Sequence, residues 1–327
     1  NFDFAEMLSE MLGELNASHT GCRYYASGAT LSTAALGVFL DPSYEGDGLK
    51  IKEIIKRGPF AVKKNEVTPG SIIEKIDGTD IKAGEDYNAL LDGKAGKNIR
   101  LTIKNAKGKR FDLTIKAISQ GAQQELLYKR WVDRNRAIVD SVSHGRIAYV
   151  HVKAMNSESF RTVYSELLSE KNRTKDAVIV DERHNGGGWL HDDLCTLLSG
   201  KQYQEFVPHG KVVGKDPFNK WTKPSCVLIC EDDYSNGHGF PWVYKELGIG
   251  KLIGAPVAGT MTAVWWETLM DRSLVFGIPQ VGCRDMRGTF GENTTLQPDI
   301  EVYNSPEDYI TGHDTQLIRA VEEMMKK

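Results

Sequence analysis

The chain has 327 residues, too many for one ordinary core and suited to two domains. Its 41 lysines and arginines against 44 aspartates and glutamates leave a net charge of −3, which supplies no bulk positive field for nucleic acid. Hydrophobic residues at 40% and charged residues at 26% describe a soluble globular chain, and no window approaches the roughly 18 consecutive apolar residues of a membrane span.

The opening Asn1 to Asn16 reads as an amphipathic helix, with Phe4, Met7, Leu8, Met11, Leu12 and Leu15 on one face. No initiator Met or signal-like run precedes it, so a longer parent protein is expected. The compartment, extracytoplasmic or cytoplasmic, is not readable from this end. From about Ala35 to Ala117 the texture is short strands with turn punctuation. Leu36–Leu40 is a compact apolar run and Leu49–Ile55 alternates. Asp77-Gly78 is a tight-turn pair, Asp86–Leu91 a short helix, and Ile99–Ile103 with Arg110–Ile115 a hairpin about Lys107-Gly108.

The remainder alternates strands and helices, the mark of an α/β fold with a largely buried sheet. Strands are expected at Arg146–Val152, Ala177–Asp181 and Ser225–Cys230, and helices at Ser157–Glu170, Leu190–Leu198 and Trp242–Leu247. The five cysteines are odd in number and scattered. Cys226 and Cys230, four apart in an apolar run, lack the paired spacing of a zinc site, so neither a disulfide scaffold nor a structural metal is expected. Lys63-Lys64 and Lys326-Lys327 read as solvated surface and chain end.

Chemistry concentrates at two loops. Ser235 lies just past a buried strand and just before a helix, where a hydroxyl is exposed and backbone N–H groups are unpaired; capping the helix is its bland role. Asn185-Gly186-Gly187-Gly188 follows another strand, and its glycines allow backbone N–H groups to close on an anion, as an oxyanion hole requires. Acyl transfer by serine also needs a base. Eight histidines are available; His184 and His238 are nearest the two loops in sequence, and sequence order does not choose among them. Trp265-Trp266 offers aromatic surface for a substrate groove.

These segments resemble a known family. Asp181–Gly188, Tyr234-Ser235-Asn236, Leu252-Ile253-Gly254, Gly291-Glu292-Asn293 and Gln297–Ile300, in that order, are similar to the tricorn core protease family of tail-specific, C-terminal-processing serine peptidases. Gly13–His19 resembles its base-bearing segment, and Val67–Gly78 resembles a PDZ pattern. The resemblance implies a crotonase/ClpP-like ββα catalytic domain with a small strand-rich PDZ-like domain. It divides the chain into a helical segment carrying the base (1–34), a PDZ-like peptide-binding domain (35–118) and an α/β peptidase domain (119–327). It implies Ser235 as nucleophile, His19 as base, and Ser18 and Glu292 as the rest of a Ser–His–Ser–Glu tetrad. Gly188 and Asn236 become the oxyanion donors, and Gly187 and Trp265 substrate contacts. Asn236 departs from the family's usual aspartate, and Thr260 stands where Ser–Lys relatives carry a lysine, which disfavours a lysine base.

The expected partner is a peptide or unfolded polypeptide; no metal, organic cofactor or nucleic acid is called for, and a homo-oligomer stays open. A catalytically inactive peptide-binding scaffold is the alternative. An acyl-CoA enzyme of crotonase-like architecture is a weaker third reading, because no basic pocket for cofactor phosphates is evident.

Overall fold

The opening helix forms, but it does not bury the face its spacing predicts. In the computed structural model, which describes residues 1–26, 32–61 and 66–326, helix α1 runs Phe2–Gly13. Lys63, Lys64 and Lys327 lie outside the described residues. The buried face of α1 is Ala5 and Leu12, with Leu8 partly covered, while Phe4, Met7 and Met11 are exposed. The small side chain of Ala5 lets the helix pack closely on strand β1 (Gly21–Tyr24) against Cys22. Ser9 locks the contact by exchanging hydrogen bonds with Cys22, its hydroxyl donating to the carbonyl at 2.8 Å and accepting from the N–H at 2.9 Å. Because β1 pairs antiparallel with the distant segment Leu274–Gly277, the residues before it reach the far end of the chain's peptidase-like region.

The chain divides into two compact units, Asn1–Ser27 with Asn135–Lys327, and Gly28–Arg134. The second unit is an antiparallel sheet of β2 (Val38–Leu40), β3 (Leu49–Ile54), β4 (Ile72–Ile76), β5 (Thr79–Asp80), β6 (Asn98–Lys104) and β7 (Arg110–Lys116). Their order is β2-β3-β4-β6-β7, with β5 beside β4. Alternation dictates the core: Ile99, Leu101 and Ile103 of β6 face inward opposite Ile115, Leu113 and Phe111 of β7. Asp77 and Gly78 both take positive φ (48° and 87°), the type I′ geometry that the Asp-Gly pair predicts. The segment read as a helix at Asp86–Leu91 is a single tight turn at Tyr87–Leu90, held by the Asp86 side chain accepting from Asn88 N–H.

Helix α2 (Gln120–Val142) has no counterpart in the sequence reading. Only Asn135 and Val139 of its 23 residues are buried. The other unit is built on a five-stranded sheet in which every pairing is parallel. Its elements in chain order are β8 (Ile147–His151), α3 (Ser157–Leu167), α4 (Glu170–Arg173), β9 (Ala177–Asp181) and α5 (His191–Leu198). There follow β10 (Gln204–Phe206), β11 (Gly214–Asp216), β12 (Ser225–Ile229), α6 (Asn236–Glu246) and β13 (Lys251–Gly254). The last are β14 (Thr262–Val264), β15 (Glu267–Thr268), β16 (Leu274–Gly277), β17 (Pro279–Gly282), β18 (Ile300–Glu301), α7 (Pro306–Thr311) and α8 (Thr315–Met325). Every residue of β8, β9 and β12 is buried, as their unbroken apolar runs require. The parallel sheet runs in the order β18-β13-β12-β9-β8, and the described residues of this unit add three smaller antiparallel sheets, β1-β16-β15, β14-β17 and β10-β11. The architecture is mixed α/β, as expected. No helix among the described residues is long and apolar enough to cross a membrane.

Helix α6 begins six residues earlier than the sequence suggests, at Asn236. Its first turns hold Gly237, Gly239 and Pro241, which read locally as breakers. Packing overrides propensity here, because a Cβ on Gly237 would lie 2.5 Å from the Asn185 carbonyl oxygen. The glycine therefore lets the helix start approach the neighbouring loop.

Candidate active site

The loops after β9 and β12 leave the same end of the parallel sheet, the end where α/β folds gather their ligands. A buried ion-pair lattice supports the first of them. Arg183 donates to both Asp181 oxygens (2.9 and 2.7 Å) and both Asp314 oxygens (2.9 Å each), and Tyr149 donates to Asp181 at 2.9 Å. The loops are then stitched together directly. Asn185 N–H donates to Asp233 at 3.1 Å, and Tyr234 N–H donates to the Asn185 carbonyl at 2.9 Å.

Ser235 sits at the joint between this stitched pair and α6. Its φ of 59° and ψ of −120° are strained for a residue with a Cβ, and its side chain makes no capping bond to the helix. The bland role of helix cap is therefore not the one it plays. A strained strand-to-helix turn of this kind is the backbone setting of a nucleophile elbow. Thr260 Oγ1 accepts the Ser235 N–H at 2.9 Å and holds the turn.

Gly187 and Gly188 adopt φ of 92° and 136°. A Cβ on Gly187 would come within 2.6 Å of Ser235 Cβ and 2.9 Å of Asn236 N, and one on Gly188 within 2.1 Å of the Met155 carbonyl oxygen. Only glycine allows the loop to lie this close to the serine turn. Among the described residues, neither the Gly188 nor the Asn236 N–H is donated to a loop or turn carbonyl.

The segment before β1 supplies the third part. Ser18 Oγ donates to Glu292 at 2.9 Å, and Ser18 N–H donates to the other carboxylate oxygen at 2.5 Å. Ser18 Oγ also lies 2.8 Å from His19 Nδ1. With the Ser18 proton directed to Glu292, an Nδ1–H on His19 would continue the chain of hydrogen bonds and leave Nε2 to accept a proton. Partial burial lowers the His19 pKa below its ordinary value while the Glu292 charge acts the other way, so the imidazole is neutral near pH 7. Tyr234 joins this group to the nucleophile loop: its hydroxyl accepts the His19 N–H at 2.7 Å, and the two rings are 4.9 Å apart. A cleft of about 490 Å³ opens here, lined in part by Ser18, Tyr234, Thr260 and Glu292.

The other sequence candidates fall elsewhere. His238 is buried and its pKa is pushed down to about 4, which leaves it a poor base and places it in the core. His184 faces Asp232 and Cys230. Trp265 is 60% exposed just after β14, whereas Trp266 is covered by the Arg23 guanidinium 3.9 Å from its ring.

Two regions of the chain match known protein families. The profile of Peptidase family S41 matches residues 146–302, and that of the Tricorn protease PDZ domain matches residues 44–120. Together these matches support a tricorn-like S41 peptidase with a PDZ domain. It is 27% identical to a tricorn protease homolog of Saccharolobus solfataricus and 26% identical to the tricorn protease of Thermoplasma acidophilum. Both alignments cover 100% of this chain but only 31% of the relative, so the chain spans about a third of their length. A crystal structure of the tricorn protease superposes with a TM-score of 0.81 at 25% identity, over 97% of this chain and 32% of that one.

Within this tricorn-like S41 frame, four positions act in ways no local pattern announces. Thr262 Oγ1 lies 2.7 Å from Ser18 Oγ and 3.1 Å from His19 Nδ1. Tyr234 and Thr260 hold the base segment and the serine turn as described above. The Asn236 side chain reaches back across the glycine loop, its Oδ1 accepting from Leu190 N–H (2.7 Å) and His191 N–H (3.1 Å) and its Nδ2 2.8 Å from His191 Nδ1. The resemblance assigns a role to the backbone of Asn236, and the structure adds these side-chain contacts. The order Tyr-Ser-Asn beside a glycine loop was the available hint; Thr262 had none.

Proposed function

We propose that this chain hydrolyses peptide bonds of extended polypeptides through an acyl-enzyme on Ser235. The observation that carries the reading is the Glu292–Ser18–His19 chain of hydrogen bonds, which joins residues 274 positions apart and ends one tyrosine from a strained serine. In this reaction Ser235 Oγ forms a bond to the scissile carbonyl carbon as its proton passes to His19 Nε2. The carbonyl oxygen becomes an oxyanion received by the N–H groups of Gly188 and Asn236, worth about 3 kcal/mol each. Collapse of the tetrahedral intermediate breaks the C–N bond, and the leaving amine takes the proton from the imidazolium. Water then attacks the ester with His19 again as base, which releases the acid and restores Ser235. Ser18 and Glu292 position the imidazole and stabilise its charged form.

Residues 1–34 in this reading carry the base, 119–327 the peptidase machinery, and 35–118 a PDZ-like module for substrate. Among the described residues β2 pairs with β3 alone, and we infer that an extended peptide adds along its other edge. Gly187, packed against Ser235, and the exposed Trp265 are the proposed substrate contacts. The test is intact mass after incubation with a fluorophosphonate. The wild type is expected to gain one adduct, Ser235→Ala none, and His19→Ala one that forms slowly. An unlabelled wild type, or an adduct that survives Ser235→Ala, overturns the assignment.

A further inference from the structure

A second constellation lies behind the nucleophile loop and has no part in the peptidase chemistry. His184 Nδ1 is 3.0 and 3.1 Å from the two Asp232 oxygens, and Cys230 Sγ is 2.7 Å from Asp232 Oδ1 and 3.8 Å from His184 Nδ1. All the donor atoms fall within 4.8 Å of one another. Their frame is defined by the backbone: His184 holds a left-handed φ of 68°, and its N–H donates to Cys230 Sγ at 3.1 Å. Cys230 is buried at the end of β12, while the other two side chains are open to solvent at 48% and 64% exposure.

We propose that His184, Cys230 and Asp232 bind a divalent transition-metal ion of the zinc type, with water in the remaining tetrahedral position. One thiolate, one imidazole and one carboxylate suit zinc and its neighbours, whereas magnesium and calcium take oxygen ligands. Tetrahedral bonds of about 2.0–2.3 Å put ligand atoms on the order of 3.5 Å apart. The observed separations bracket that value, and the exposed Asp232 carboxylate has room to swing outward from the sulfur. Binding replaces the Cys230 S–H bond with an S–metal bond and releases the proton to solvent; His184 binds as neutral imidazole through Nδ1. The ion would clamp the loop that continues to Gly188 onto the loop that continues to Ser235, 48 positions apart in sequence.

The experiment titrates the purified, reduced chain with Co²⁺ and follows absorption. One equivalent is expected to give a thiolate-to-cobalt charge-transfer band with tetrahedral d–d bands, both removed by Zn²⁺. His184→Ala and Asp232→Asn should each weaken binding at least about tenfold, Cys230→Ser should abolish the charge-transfer band, and Cys283→Ser should leave it unchanged. Zn²⁺ should also raise the melting midpoint of the wild type but not of His184→Ala. Circular dichroism identifies any variant that fails to fold, in which case the two exposed-ligand variants decide. Absence of the charge-transfer band from the wild type, its loss in Cys283→Ser, or undiminished binding by His184→Ala and Asp232→Asn overturns the site.

Discussion

The two halves of the proposed active site, one carrying the proposed nucleophile and the other the proposed base, are held by different physics. The nucleophile half hangs from the ends of β9 and β12, two wholly buried parallel strands, and its loops touch backbone to backbone. The base half is a half-buried segment outside that sheet, attached by α1 packing, by β1 on β16, and by side-chain hydrogen bonds to Glu292, Thr262 and Tyr234. Core burial makes the first half rigid. A few polar bonds across a long sequence separation orient the second, each worth only about 0.5–1.5 kcal/mol net, or roughly 1.5–3 where a charge takes part. Perturbing the first half should therefore damage stability and activity together, whereas perturbing the second should damage activity and its pH dependence while the fold survives.

The largest expected effect is on the support of the nucleophile half. Arg183→Ala leaves Asp181 and Asp314 buried without their cation and should cost about 3–5 kcal/mol in chemical unfolding. A loss below 1 kcal/mol would show that the lattice is not what carries this loop. Next is Gly187→Ala, whose methyl meets the Ser235 turn at a positive φ. Displacing the oxyanion loop should lower kcat/KM by about 10²–10³-fold, and the melting temperature should fall with it.

The base half should respond differently. Glu292→Gln should reduce kcat by on the order of 100-fold with little change in melting temperature. Glu292 raises the His19 pKa against the lowering by burial, so removing its charge lowers that pKa further. The acid limb of kcat/KM should move to lower pH as the plateau drops; a limb that moves upward would contradict the assignment of His19 as base. The smallest effect belongs to Thr262. Thr262→Val should slow acylation by about tenfold through loss of one hydrogen bond to Ser18, and Thr262→Ser should restore it. A valine variant with unchanged rate would make Thr262 a packing residue.

What was legible in the sequence follows the same division. Ala177–Asp181 and Ser225–Ile229 are unbroken apolar runs, so burial on both faces writes the strand into composition, and Asp77-Gly78 writes its own turn. Helix α2 has no counterpart in the sequence reading, and the start of α6 escaped notice because its glycines serve contacts rather than propensity. Even in α1 the periodicity announced a helix but not its inward face, which the small Ala5 decides.

The sequence alone carries the α/β class, the strand-rich module, the resemblance to the tricorn core protease family and the two loops where acyl chemistry is possible. These are properties of contiguous residues, whose burial and backbone preferences are local. Only the tertiary structure decided that Ser235 is strained rather than capping, that Thr260, Thr262 and Tyr234 hold the site, and that His184, Cys230 and Asp232 converge. Hydrogen bonds between residues tens to hundreds of positions apart leave no periodic trace in a sequence, because each needs only one polar atom at the right point in space.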